Sequence, residues 1–405
     1  TTTITGVAGV GYFVNTTAGA ITANLPAGTA GDVIAFADYT RTFQTNNLTI
    51  TPNGSEKIGG VAASFYAQTE GQSVTFVYVD ATEGWINTAE STGQSGLLPA
   101  FIAATGGTII TTGDFKTHVF TGPGTFTVTC AGNLLGSNTT DYMVVAGGGG
   151  GGTACGAGGG GAGGYRESSG VASGCYTASP LGACVSALPV SATSYPVVIG
   201  AGGAGAPSPG GDNSGCSGSA SSVLGISSTG GGFGGGGGGN EPGGSGGSGG
   251  GGSHYLGTGG TGNTPSVSPV QGTNGAPSNS PAGSGPGDTG SGGGGAGGAA
   301  LSASNTPVQG GPGTQTQIVT ATYGVSTPTP ARGFSAGGGG ATKMRQDGAT
   351  PNQAGPNPNT APNAGLFGGA GGGGYGPEPA PQAQNSGTNG TANTGGGGGG
   401  ASGPG

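Results

Sequence analysis

The sequence predicts an all-β chain joined to packed polyglycine II helices, with no α-helix. Three observations carry this. Residues 1–92 alternate apolar and polar side chains between Gly/Pro/Asn turns, the pattern of half-buried strands. Of the 107 glycines, 87 follow residue 145 and make up about a third of that stretch. These glycines come in repeated runs, and no window shows an apolar period of 3.6.

Four segments are expected: a small N-terminal β-domain for attachment or oligomerisation at 1–92, a linker at 93–103, strands leading into the glycine-rich part at 104–146, and a polyglycine II sandwich with displayed loops at 147–405. In the first, strands are expected at Gly11 to Val14, Ile21 to Leu25, Val33 to Phe36, Leu48 to Thr51 and Val74 to Val79. Trp85, the only Trp, follows the Glu83-Gly84 turn and is expected in the core. Residues 91–99 are rich in Gly, Ser and Leu, as linkers are. Beyond them lie Thr108 to Thr112, His118 to Phe120 and Thr125 to Thr129, with Gly122-Pro123-Gly124 read as a hairpin turn. Tyr142-Met143-Val144-Val145 then enters the first run, Gly147 to Gly152.

Collagen needs Gly at every third position, and runs of four or more exclude it. Low-complexity disorder competes with order, because a Gly-rich chain has much conformational entropy to lose and few apolar groups to offset it. Recurrence of the runs, near 147–152, 156–164, 200–205, 230–239, 243–252, 257–260, 292–298, 337–340, 368–374 and 395–400, favours an array. A polyproline II chain has three residues per turn, rises ~3.1 Å per residue and makes no internal hydrogen bonds. Its N–H and C=O groups must find partners on neighbouring helices, which can approach closely only where no Cβ intervenes. Short apolar fragments at Tyr195 to Ile199, Val223 to Ile226, Ile318-Val319 and Leu366-Phe367 are read as strands or caps at the ends of this layer.

Charge excludes several classes of partner. Seven basic and 15 acidic residues give a net charge of −8, which disfavours nucleic acid and anionic membranes. No apolar stretch approaches the ~20 residues of a membrane helix. Carboxylates such as Asp141, Glu167, Asp212 and Glu241 come singly, and the only histidines are His118 and His254, so neither catalysis, a metal site nor a cofactor is expected. The Gly-x-Gly-x-x-Gly matches lack a βαβ context, and no Gly-Lys-Ser/Thr phosphate loop is present. Five cysteines leave at least one thiol unpaired within the chain, and Cys175 and Cys184 flank a turn that they could bridge.

What remains is display of side chains by loops on a rigid slab. Candidate recognition residues are Tyr165, Arg166, Tyr176, His254, Tyr255, Tyr323, Phe334 and Tyr375, since aromatics with a polar tip suit glycan or protein surfaces. Packing against a neighbouring loop or subunit is the competing role for each.

Several stretches resemble bacteriophage tail-fibre and fibre-tip proteins, particularly the glycine-rich fibres of marine phages. They include Gly31 to Asp38, Asn46 to Ile50 with Pro52-Asn53-Gly54, Tyr78 to Trp85, His118 to Thr121, Gly124 to Val128, Asp141 to Ala146 into glycine, Gly163 to Glu167, and Tyr195 to Gly202. The second half is also similar in type to glycine-rich tip adhesins. The resemblance implies a virion tail protein, a homo-oligomer of trimeric kind, with other tail proteins and a host surface glycan or outer-membrane protein as partners. A purely structural virion decoration or extracellular filament, its subunits joined by glycine-rich surfaces, is the alternative.

Overall fold

The computed structural model describes residues 2–91, 100–133, 136–154, 156–170, 181, 185–207, 212–279, 289–300, 309–318, 323–326, 332–334 and 387–401. Among them there is no helix, and the chain divides into two compact units, Thr1–Phe101 with Gly132–Asn138 and Ile102–Ala131 with Thr139–Gly405.

In the first unit, β1 (Thr3–Thr5), β2 (Gly11–Val14), β3 (Ile21–Asn24), β4 (Val33–Asp38) and β5 (Leu48–Thr51) alternate between two sheets. Consecutive visits to each sheet pair in parallel, β1 with β3 and β3 with β5 in one, β2 with β4 in the other. The antiparallel strands β6 (Phe65–Ala67), β7 (Ser73–Asp80) and β8 (Gly84–Glu90) finish both sheets. Inward positions follow the two-residue period: Leu48 and Ile50 on β5, Ile34 and Phe36 on β4, Val74 and Phe76 on β7 are all buried. Phe65 meets Phe76 edge-on at 5.0 Å. Trp85 is fully buried, as expected, and its Nε1 donates to Glu56 Oε2. Asp38 closes the Thr40–Asn46 turn by accepting from the N–H groups of Thr42, Phe43 and Gly71.

The strands of the second unit are β9 (Ile102–Thr105), β10 (Thr108–Thr112), β11 (Phe115–Val119), β12 (Gly124–Ala131), β13 (Thr139–Thr140), β14 (Met143–Val145), β15 (Tyr165–Glu167), β16 (Leu188–Pro189), β17 (Ser194–Val197), β18 (Ser221–Val223), β19 (Ile226–Ser228), β20 (Thr314–Thr316), β21 (Val325–Ser326) and β22 (Arg332–Phe334). Gly122-Pro123-Gly124 is not the hairpin turn expected from the sequence. β11 pairs with β10, whereas β12 lies between β9 and β17 in another sheet, around a core of Phe126, Val128, Val190 and Val197. Val223 to Ile226 is likewise a hairpin rather than one strand, because Leu224 and Gly225 adopt φ of 53° and 77°.

The described glycine runs are bonded laterally, whereas 337–340, 368–374 and Leu366-Phe367 lie outside the described residues. β14 and β15 pair antiparallel, and the chain between them continues that pairing in another geometry. The N–H groups of Ala146, Gly149 and Gly152 donate to the carbonyls of Gly164, Gly161 and Gly158, one bond every third residue. That interval is the turn of a polyglycine II helix rather than the two-residue repeat of a strand. Other faces of 147–153 follow the same rule. Gly147, Gly150 and Thr153 donate to Ser219, Cys216 and Asn213, and their carbonyls accept from Gly231, Gly234 and Gly237. Run 247–252 is bonded on all sides, to 229–237, 158–164, 271–278, 243–246, 289–298 and 257–263. Six neighbours are what packed cylinders allow. The sequence requires glycine here because a Cβ on Gly250 would lie 1.8 Å from the Phe233 carbonyl oxygen, and one on Gly149 would lie 2.1 Å from that of Gly232.

Candidate functional site

Run direction decides which loops share an end. Run 147–153 is antiparallel to 158–164 and 213–219 and parallel to 229–237 and 395–401. Turns 153–157, 238–242 and 253–257 therefore fall at one end of the lattice, with Asp212 and Asn213 beside them. The β14–β15 pair, the β18–β19 hairpin and the 264–270 loop fall at the other.

At the first end three turns are stitched together through backbone. His254 N donates to the Gly156 carbonyl at 2.9 Å, Ser253 N to the Glu241 carbonyl at 3.0 Å, and Gly237 N to the Thr153 carbonyl at 2.8 Å. Ser253 Oγ adds bonds to the carbonyls of Gly239 and Glu241. The 253–257 turn closes with Gly257 N on the Ser253 carbonyl, which places two consecutive non-glycine residues, Tyr255 and Leu256, at φ of 61° and 68°. Bulky residues seldom adopt this left-handed region, and at functional sites the surroundings hold such conformations in place. Ala154, at φ 80°, repeats the feature in the neighbouring turn.

The side chains divide by depth. His254 is 3% exposed, its ring 3.8 Å from that of Tyr255 and against Gly156, where a Cβ would come within 2.8 Å of His254 Cβ. Tyr255 is half-buried, and Leu256 projects with 59% of its surface exposed. Asn240, Glu241 and Asp212 are exposed nearby, and these turns hold no Lys or Arg. The end is thus a small apolar knob on a rigid base, edged by polar and acidic groups. Among the described residues no cluster of His, Cys, Asp or Glu could hold a metal ion, and no helix is long and apolar enough to cross a membrane.

The other described candidates, Tyr165, Arg166, Tyr323 and Phe334, lie at the opposite end and largely in packing roles. Tyr165 and Phe334 are 1% and 2% exposed and share a cluster with Ala296, against which Tyr323 also packs. Arg166 is half-buried, with Nη2 3.5 Å from the Ser268 carbonyl. Burial pushes the Tyr142 phenol above its usual range, and the Arg166 charge partly offsets the shift. Glu167 is buried, accepting from Thr316 Oγ1. His118 is structural, with Nδ1 2.8 Å from the Gly106 carbonyl and its ring on Phe126. Tyr176, Tyr375, Cys175 and Cys184 lie outside the described residues, while Cys130 and Cys216 are free and exposed.

The described members of the expected set are therefore divided between two ends, and of these His254 and Tyr255 sit in the strained turns. Asn240, Glu241 and Asp212 were missed as site residues because selection by aromatic character ignores run direction. The runs read from the sequence omit 213–219 and join 243–246 to 247–252, so counting alternate ends along them would have put 238–242 at the wrong end.

Over residues 119–256 the chain matches the family model described as a glycine-rich domain. No curated protein matches the chain.

Proposed function

We propose that this chain is a non-enzymatic component of a bacteriophage tail fibre, located on the virion outside the cell, that presents the 153–157, 238–242 and 253–257 turns to the host surface. One observation carries the reading: a rigid backbone lattice holds the consecutive residues Tyr255 and Leu256 in left-handed conformations at one end, with Leu256 exposed. Pre-organised display of this kind removes the ordering entropy that a mobile loop loses on binding. A half-buried tyrosine beside an exposed leucine and carboxylates suits a surface glycan or outer-membrane protein better than a polyanion. The resemblance in the 31–38, 118–128 and 141–167 stretches points to the same setting.

The test uses the purified full chain on bacterial isolates, scoring cell binding and competition with phage adsorption. Asn tolerates φ near 60°, so Tyr255→Asn and Leu256→Asn remove the displayed side chains while keeping the turn. The reading expects both variants to fold like the parent and to lose cell binding at least tenfold. Cell binding that survives both substitutions would place recognition elsewhere.

A further inference from the structure

Among the described residues the lattice has an open edge. Run 247–252 bonds six neighbouring runs, but run 200–206 bonds only two, 147–153 and 213–219, among the described residues. Gly203 and Ala206 donate inward to the carbonyls of Gly148 and Gly151, and the carbonyls of Ala201 and Ala204 accept from Ser219 and Cys216. The N–H groups of Gly202 and Gly205, one helical turn apart, donate to no acceptor among the described residues, and their carbonyls accept from no donor there. Both residues are exposed, as are Ala201 and Ala204 and, on the adjoining run, Cys216 and Ser217.

The glycines at 202 and 205 also lack the reason that explains glycine inside the lattice. A Cβ on Gly203 would lie 2.0 Å from the Cys216 oxygen, and one on Gly200 would lie 2.0 Å from the Ser219 oxygen. On Gly202 and Gly205 the nearest described atoms would be 3.7 and 3.8 Å away, ordinary contact distances, and neither residue has a positive φ. Their own chain tolerates a side chain at both positions. Another polyglycine helix packed on that face would not, because inside the lattice the Cβ positions coincide with neighbouring carbonyls.

We infer that this edge is where a second copy of the chain adds to the lattice, run 200–206 of one copy against run 200–206 of the other. The identity of the occupant follows from the chemistry of the face. It is uncharged, its unpaired donors and acceptors are backbone groups repeating every three residues, and the matching surface is this one. An antiparallel pairing about a two-fold axis reproduces the contact between 147–153 and 158–164, and an isologous interface needs only such a self-complementary patch. The edge is to this lattice what an unpaired strand is to a sheet. Seven residues span ~20 Å, so the contact is small and the association weak and concentration-dependent. The inference does not rest on the host-recognition reading, and the pair differs from the trimer implied by the resemblance.

Sedimentation of the full chain from micromolar to near-millimolar concentration tests it, together with amide exchange at Gly202 and Gly205. The parent is expected to self-associate, with both amides slowing as concentration rises. Gly202→Ala/Gly205→Ala is expected to melt like the parent yet associate at least tenfold more weakly. A parent that stays monomeric throughout overturns the inference, as does a double variant that associates like the parent. Unchanged melting of the double variant also distinguishes it from Gly203→Ala, whose Cβ collides within its own lattice.

Discussion

At the scale of single residues, glycine here is a packing residue. Its usual structural uses, a turn or a positive φ, apply at Gly225 and at the run-starting Gly156 and Gly395, but not along the rest of the described runs. In the runs the missing Cβ is what lets one backbone reach another. Gly250→Ala places a methyl 1.8 Å from a backbone oxygen in the most enclosed run. It is expected to destabilise the second unit by about 1–3 kcal/mol, the usual range for overpacking, and by more if the backbone cannot yield. Gly239→Ala serves as the comparison, since nothing described lies within 4 Å of its Cβ and its φ is not positive. Its stability is expected to stay within about 0.5 kcal/mol of the parent. Denaturant melts of the two variants check this contrast, and equal losses would contradict it.

Elements differ in how far the sequence displayed them. The β-branched alternation of Val74 to Val79 and Leu48 to Thr51 marks strands directly, and those strands are present. Alternation does not reveal direction, because parallel and antiparallel strands share the same two-residue period. The winding of β1 to β5 between two sheets was for that reason not legible. Val223 to Ile226 reads as apolar and continuous, and only the backbone shows that Leu224 and Gly225 turn it back on itself. Most described runs were readable from composition and recurrence, but 213–219, with two glycines, was not, nor was the order of the runs around one another, since glycine runs present the same surface. Register is set by the non-glycine residues at their ends. Gln271 is fully buried at one such end, where Oε1 accepts from Thr229 N and Nε2 donates to the Pro265 carbonyl and Thr229 Oγ1. It also fills the space over Gly164, where a Cβ would come within 2.4 Å of its oxygen. Gln271→Ala strips these partners and is expected to cost about 2–4 kcal/mol, from unsatisfied polar groups and a new cavity together. A thermal melt measures it, and a loss under about 0.5 kcal/mol would show that the clasp does not set register.

For the whole molecule, two kinds of interior coexist in one chain. The first unit is stabilised in the ordinary way, by aromatic and aliphatic side chains buried between two sheets. The second has small apolar clusters near its strands and relies elsewhere on lateral backbone bonds, each contributing roughly 1 kcal/mol net. Such an interior holds only if many bonds form together, because glycine loses more conformational freedom on ordering than any other residue. This explains why the runs recur rather than occurring once. It also explains the division of labour in the proposed function, in which the lattice supplies rigidity without side chains and the turns at its ends carry all the chemical variety. Residue-resolved amide exchange on the full chain tests the central claim most directly. The account predicts that the bonded amides of 158–164, 229–235 and 247–252 exchange orders of magnitude more slowly than unstructured glycine and are lost in one cooperative transition. Exchange of these runs at unstructured rates, while β7 and β12 remain protected, would contradict it.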